Sequence, residues 1–126
     1  MNLKEIQQEL KDIAEKHPLF DNIKENGRVV IGRGNTINPE YLFLCDAPGY
    51  IENKVGQPLM GNSGKLLDMW LKECNITDYA VVNSVPIMSL DANKNIRKPT
   101  TREISYFRPA TLKLIEAINP KHIICL

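Results

Sequence analysis

Two polar residues stand where apolar segments end, and both carry groups that can do chemistry. Asp46 follows the apolar run 41–45, and Asn83 closes the next such run, which begins at Tyr79. A carboxylate can stabilise positive charge that develops during a reaction, or orient a water molecule. A carboxamide presents a donor and an acceptor together. These two residues are therefore candidates for a binding or catalytic site.

A loop of small residues between those two runs leads into a predicted helix. It contains Gly61, Asn62 and Ser63, and the helical pattern follows over 63–74. Free backbone N–H groups at a helix N-terminus favour a phosphate, and Asn62 or Ser63 is placed to cap the helix. A second candidate for phosphate contact is a basic cluster, which could equally be a solvated loop. It comprises Lys94, Arg97, Lys98 and Arg102.

The hydrophobic pattern predicts the elements that position these residues. Strands are expected at 41–45, 79–85 and 122–126, with an extended arm at 28–32. Helices are expected at 3–16, 63–74 and 100–118, the last kinked or restarted near Pro109. This order is typical of an α/β fold, a three-layer α/β/α domain with a short parallel sheet. Ligands in such sheets bind at the carboxyl ends of the strands, where Asp46 and Asn83 lie.

The domain organisation follows from the same pattern and the chain length. Residues 1–126 are expected to form a single domain, with an N-terminal helix within 1–20 and an α/β core over 28–126. The helix at 63–74 is predicted to bury an apolar face. That face consists of Leu66, Leu67, Trp70, Leu71 and Cys74.

Composition excludes several classes of protein. The chain is 43% hydrophobic and 25% charged with a net charge of +1, which is typical of a globular protein. It has no apolar run long enough to cross a membrane and no signal-peptide pattern, so a cytoplasmic location is expected. Three widely spaced cysteines argue against disulfides and a metal site, and Cys74 and Cys125 are predicted to be buried. The absence of a GxGxxG motif or P-loop disfavours a nucleotide-binding domain.

Three segments in order resemble the family-four members of the uracil-DNA glycosylase superfamily. They are residues 45–49 with the loop and helix at 56–67, then Asn83, and finally the Asn-Ile-Arg-Lys-Pro-Thr segment at 95–100. The match covers roughly residues 28–126. The resemblance implies a uracil-DNA glycosylase-like fold and an enzyme of DNA base excision repair, which hydrolyses the N-glycosidic bond of uracil or a related pyrimidine. The alternative is a catalytically degenerate relative that binds DNA or a replication or repair partner without cleavage.

The resemblance also implies a role for each matching residue. Asp46 is the catalytic acid, one methylene shorter than the family's glutamate, and it acts on the sugar and on water. The base would contact Ala47, Pro48, Gly49, Leu59 and Asn83, with Leu59 in place of the family's aromatic ring. DNA phosphates would contact Gly61, Asn62, Ser63, Arg97 and Lys98.

Two features of the family have no counterpart in the sequence. Ile87 and Phe107 stand at two positions of its iron–sulfur cysteines, so neither a cluster nor another cofactor is expected. Its second motif, a His-Pro-Ser-like loop after a fourth strand, would lie beyond Leu126, and neither His17 nor His122 replaces it. The chain is thus expected to be a truncated member, lacking the last strand. A protein partner or a second copy is expected to cover its C-terminal strand.

Overall fold

A four-stranded sheet forms the centre of the computed structural model, which describes residues 1–21, 23 and 28–126. The strands are β1 (Gly32–Gly34), β2 (Tyr41–Cys45), β3 (Tyr79–Asn83) and β4 (His122–Cys125), in the order β1-β3-β2-β4. Strand β2 is parallel to both β3 and β4, whereas β1 is antiparallel to β3. The α/β class is confirmed. The sheet is mixed instead of purely parallel, because the chain after the predicted arm runs alongside β3 in the opposite direction.

The helices connect these strands on both faces of the sheet. In the described residues they are α1 (Leu3–Glu15), α2 (Pro18–Asp21), α3 (Tyr50–Val55), α4 (Asn62–Glu73) and α5 (Thr101–Ile118). The sequence did not predict α2 or α3, because helices of four and six residues are too short for periodicity to show. None of the helices in this described part is long and apolar enough to cross a membrane.

Capping explains where the longer helices begin. The Asn2 side chain accepts a hydrogen bond from the Glu5 backbone N–H at 2.9 Å. Helix α5 opens with a capping box of Thr100 and Glu103. It runs unbroken through Pro109, so the helix does not restart there. Helix α4 has Gly61 as its N-cap, so the prediction of Asn62 or Ser63 in that role is wrong.

Two apolar clusters hold the layers together. On one face of the sheet α1 and α5 pack against Leu42 and Val82, with Leu10 and Phe107 almost fully buried. On the other face α4 packs against the sheet through a smaller cluster of Phe43, Cys45, Leu67, Leu71 and Val81. Alternate residues of each strand point to opposite faces, which is why β2 supplies both clusters.

Helix α4 leaves part of its apolar face open. Leu67 and Leu71 are buried, but Leu66, Trp70 and Cys74 are exposed, so the predicted burial of these three is wrong. Asp68 forms an ion pair with Arg33, so the flank of α4 that carries Asp68 is directed toward β1. Successive helix residues are 100° apart, which puts Leu66 and Trp70 on the opposite flank, toward β4. The buried apolar contacts of α4 are with β2 and β3, whereas Leu66 is 44% exposed and Trp70 is 50% exposed.

Strand β4 forms an open edge of the sheet. In the described residues it pairs with β2 alone, and all four of its residues are exposed. Ile123 is 52% exposed and Ile124 is 37% exposed, which is unusual for apolar strand residues. The predicted burial of Cys125 is therefore wrong as well.

An ion pair fixes the long loop between β3 and α5. Both terminal nitrogens of Arg97 donate to the Glu103 carboxylate, at 2.8 and 2.9 Å, and the Thr100 backbone N–H donates to the same carboxylate. The loop is also closed by an antiparallel bridge between Leu90 and Ile96. The Arg97–Glu103 pair thereby ties the loop to the first turn of α5.

This ion pair predicts an acid-sensitive contribution to stability. Hydrogen bonds from Arg97 and Thr100 lower the pKa of Glu103 from 4.5 to about 2. The lowered pKa stabilises the fold fully above pH 4.5, and that stabilisation is lost as the pH falls toward 2. We expect Glu103→Gln to lower the free energy of unfolding at pH 7 and to flatten its decline in acid, as measured by urea denaturation. Glu116→Gln, at an exposed glutamate of the same helix, is the control. Parallel acid profiles for wild type and Glu103→Gln would contradict the prediction.

Candidate active site

The turn after β2 places an acid at the carboxyl edge of the parallel strands. Cys45 lies opposite Asn83 in the β2–β3 register, and the pairing continues when the Val85 backbone N–H donates to the Asp46 carbonyl at 2.9 Å. The Asp46 side chain is exposed, and within residues 1–21, 23 and 28–126 its carboxylate makes no hydrogen bond or ion pair. The carboxylate is therefore available to a substrate or a water molecule.

Asn83 lies beside this turn but beneath the surface. It is 2% exposed, and its side-chain amide nitrogen donates to the Val30 carbonyl at 3.2 Å. The backbone N–H of Asn83 donates to the Ile31 carbonyl. The arm before β1 thus fixes the orientation of the Asn83 amide. One of its two N–H groups is already used, which leaves the second N–H and the oxygen for a ligand.

Burial also sets the protonation of the residue that precedes Asp46. Burial, assisted by the negative charge of Asp46, raises the pKa of the Cys45 thiol to about 11. The thiol therefore stays protonated at neutral pH.

An open cleft of about 410 Å³ lies between this turn and the start of α4. Its lining includes six predicted site residues, Ala47, Gly49, Leu59, Gly61, Asn62 and Ser63. The described residues that line the cleft do not include Asp46 or Asn83. Asp46 is next to the lining residue Ala47 in the chain. Pro48 is buried and shapes the turn from beneath. The structure therefore brings together the small-residue loop and the turn. Asp46 is one residue from the lining, whereas the buried Asn83 lies outside it.

A carboxylate that sequence reasoning missed joins the two loops of the cleft. Glu52 of α3 accepts hydrogen bonds from the backbone N–H groups of Gly49, Met60 and Gly61, at 2.9, 3.1 and 2.8 Å. Such charge-assisted bonds are stronger than neutral ones. The spacing of Glu52 three residues after Gly49 is the signal that could have revealed it, because a glutamate at this position of a helix accepts from the N-cap backbone N–H.

A cation holds the same loop from the opposite side. Arg33 of β1 donates to the carbonyls of Pro58 and Leu59, at 2.8 and 3.4 Å, and its side chain is only 14% exposed. A further ion pair links it to Asp68 of α4 at 3.6 Å. A charged residue between two glycines in a strand is itself a signal, since a buried charge needs partners.

Together these two charges hold Leu59 in an uncommon backbone conformation. Leu59 has φ +50°, in the left-handed region that non-glycine residues rarely adopt. Gly64 permits this arrangement, because a Cβ there would collide with the Leu59 carbonyl oxygen. Such conformations persist when the surroundings over-determine them, and they cluster at functional sites. Arg33 on the carbonyls and Glu52 on the amides supply that constraint.

The residues predicted to contact phosphate differ in how many of their N–H donors are free in the structure. Glu52 already accepts from the Gly61 N–H, so a phosphate at this helix start would depend on Asn62 and Ser63. Each terminal nitrogen of Arg97 donates one N–H to Glu103, which leaves only its other N–H groups for a phosphate. Lys98 is exposed. Both residues stay proposed phosphate contacts, and Lys98 is the more accessible of the two.

Neither histidine replaces the family's missing donor at this site. The His17 ring packs on Tyr106 and Phe107, and its Nδ1 accepts from the Leu19 N–H at the start of α2. Burial lowers the pKa of His17, although the negative charge of Glu103 partly offsets it. His122 is the first residue of β4, at the end of the parallel strands opposite the site.

Apolar side chains fill the two positions where the family has cluster cysteines. Ile87 and Phe107 are both 0% exposed and belong to the main core. Neither carries a ligating atom, and the described residues contain no group of three or more His, Cys, Asp or Glu that could hold a metal ion. The residues present therefore do not fit a four-cysteine iron–sulfur cluster.

Comparisons of the amino-acid sequence with known proteins all indicate one family. A family model described as the uracil DNA glycosylase superfamily matches residues 31–126. The type-4 uracil-DNA glycosylase of Thermotoga maritima is 35% identical over 100 residues, which cover 78% of this chain and 50% of that protein. Its counterpart in Archaeoglobus fulgidus is 31% identical, covering 82% of this chain and 50% of that protein. The type-4 uracil-DNA glycosylase of Sulfurisphaera tokodaii is 33% identical, covering 69% of this chain and 39% of that protein. The chain spans about half the length, or less, of these relatives.

The Glu52 contacts predict that a neutral substitute will loosen the cleft. Glu52→Gln keeps one acceptor oxygen and places an NH₂ group against backbone donors. We expect the free energy of unfolding to fall by about 1–3 kcal/mol, the usual cost of leaving buried hydrogen-bonding groups unsatisfied. Urea denaturation measures it, with Glu73→Gln as the control at an exposed glutamate of α4. Equal effects of the two substitutions would show that the Glu52 contacts contribute nothing specific.

Proposed function

The chain belongs to the uracil DNA glycosylase superfamily, and on that premise we propose that it acts in DNA base excision repair, hydrolysing the N-glycosidic bond of uracil or a related pyrimidine. The observation that carries the proposal is the free Asp46 carboxylate in the turn that directly follows Cys45, the register partner of Asn83, at the carboxyl edge of the sheet. The relatives' names as type-4 uracil-DNA glycosylases support it. A single working domain over residues 1–126 is part of the proposal, because α1 packs in the same core as α5.

The proposed chemistry begins with a nucleotide turned out of the base stack. Asn83 would hold the base edge through its free N–H and its oxygen, and Leu59 would lie against the ring. As the bond between the sugar C1′ and the base breaks, its electron pair leaves with the base and positive charge develops on the sugar. Asp46 would stabilise that charge and orient a water molecule. The water oxygen bonds to C1′ while its proton passes to the carboxylate.

The developing charge on the base is the step that this chain supports least. In the described residues no histidine lies at the proposed site, and one lost donor of this type lowers a rate on the order of 10²–10³-fold. A second polypeptide or a second copy covering β4 could supply the donor. The exposed Ile123 and Ile124, and the open flank of α4 at Trp70, support such a partner, which stays a prediction.

Other features of the proposal concern binding and location. Lys98, Asn62 and Ser63 would contact phosphates of the DNA strand. The apolar residues at the cluster positions support a function without an iron–sulfur group, and the absence of another cofactor stays a prediction. The cytoplasmic location inferred from the sequence stays a prediction.

The assay for this function uses a uracil-containing single-stranded oligonucleotide. We expect the chain to produce abasic sites, and Asp46→Asn to lower the rate on the order of 10²–10⁴-fold, because the amide can neither stabilise the cationic sugar nor accept the water's proton. Asp12→Asn, at an exposed aspartate of α1, should leave the rate unchanged. The absence of abasic product, even with enzyme in excess over substrate, would reject the enzymatic reading and leave the non-cleaving DNA-binding protein.

Leu59 offers an independent test of where the base is held. An aromatic ring at this position would stack on the base, which is worth about 1–3 kcal/mol. We expect Leu59→Phe to lower the KM for the uracil-containing strand, while Leu59→Met, similar in volume to leucine, leaves it near wild type. Steady-state excision kinetics measure both. A KM that rises or stays constant in Leu59→Phe would place the base elsewhere.

A further inference from the structure

A ridge of exposed apolar side chains borders the cleft on its outer side. The ridge consists of Tyr50, Ile51 and Ile96, which are 55%, 52% and 42% exposed. Tyr50 and Ile51 line the cleft itself. Ile96 comes from the long loop before α5 and lies next to the turn, since a Cβ added at Gly49 would be 3.7 Å from its Cδ1. The ridge is therefore continuous with the proposed site.

Hydrogen bonds hold the ridge in one arrangement. The Tyr50 hydroxyl donates to the Lys94 carbonyl at 3.0 Å, which joins α3 to the long loop. Within that loop the Asp91 carboxylate accepts from the backbone N–H groups of Asn93 and Asn95, at 2.8 and 2.9 Å. An ordered surface loses little conformational entropy when a ligand binds.

The surroundings of the ridge favour a nucleic-acid strand over a protein. Lys94 and Lys98 are exposed on the same loop, where they can contact phosphates. The nearest carboxylate of α3, that of Glu52, is already bound to three backbone N–H groups. An exposed tyrosine among lysines, beside the cleft proposed to hold a nucleotide, is the combination that binds unpaired strands by stacking.

We propose that the ridge, with Tyr50 at its centre, is a stacking platform for an unpaired DNA base next to the nucleotide held in the cleft. The chain should consequently prefer single-stranded DNA to duplex, because bases stacked inside a duplex cannot reach the tyrosine ring. The inference rests on the proposed function only in assuming that DNA enters the cleft.

The first experiment measures binding without any uracil present. Fluorescence anisotropy is recorded with an oligothymidylate of about 16 nucleotides and with its duplex, for wild type and three variants. We expect Tyr50→Ala to weaken single-strand binding by roughly 5- to 150-fold and duplex binding much less. Tyr50→Phe keeps the ring but loses the hydroxyl bond to Lys94, and it should weaken single-strand binding much less than Tyr50→Ala. Trp70→Ala removes an exposed ring from α4 and should have no effect. Equal losses on both DNAs, or equal losses for Tyr50→Ala and Trp70→Ala, would overturn the proposal.

A second measurement does not depend on an alanine variant that folds. Trp70 is the chain's single tryptophan, so Tyr50→Trp combined with Trp70→Phe leaves one indole, at the ridge. Stacking on a base should quench its fluorescence when oligothymidylate is added, and the duplex should quench it much less. Indole fluorescence that is unchanged at saturating single-stranded oligothymidylate would overturn the proposal, and so would equal quenching by the single strand and the duplex.

The two proposals fail in different ways. If uracil is excised but Tyr50→Ala binds single strands like wild type, the stacking platform is wrong and the excision function stands. If no abasic product forms while Tyr50→Ala loses its single-strand preference, the platform stands and the chain is a binding protein.

Discussion

The parallel register between β2 and β3 determines the geometry of the whole site. It sets Cys45 opposite Asn83, and the hydrogen bonds from Ser84 to the Cys45 carbonyl and from Val85 to the Asp46 carbonyl extend it beyond the strands. A slip of one residue would turn every side chain of one strand to the opposite face. The two apolar clusters prevent such a slip, because each requires its own alternate residues of β2 and β3. The core therefore specifies the position of the acid relative to the amide.

Charged side chains carry out a second task, which is to fix the loops that the sheet cannot reach. Arg33 binds carbonyls of the loop at 58–61, Glu52 binds its amides, and Arg97 with Glu103 anchors the loop before α5. All of these contacts join a loop to a strand or helix and lie outside the apolar clusters. Because the loops are held before any ligand arrives, less ordering is needed on binding. The apolar clusters support the elements, and the charges support the recognition surface.

Much of this fold follows from local patterns. The apolar run 41–45 became β2 with the same bounds, and the helix predicted at 100–118 is α5, with Thr100 as its N-cap. Asp46 and Asn83 were found because a polar residue at the end of a buried strand needs an explanation. The order of the motifs along the chain predicted the family, and the family model that matches residues 31–126 confirms it.

Other features depend on neighbours that periodicity does not reveal. The pattern of α4 identified an apolar face, but which part is covered depends on the position of the sheet, so Trp70 is exposed. The short helix α3 has too few residues for a period to show. The roles of Arg33 and Glu52 were missed because their partners are backbone groups of distant loops, and backbone groups leave no trace in a sequence.

The buried thiol before Asp46 gives the turn an unexpected chemical resistance. Oxidants attack the thiolate, and a cysteine whose pKa lies near 11 is almost wholly protonated at neutral pH. Cys74 and Cys125 are exposed and would meet a peroxide first, Cys74 at the end of α4 and Cys125 opposite Leu44 on β4. The thiol that adjoins Asp46 is thereby shielded from the oxidation that the exposed thiols would meet.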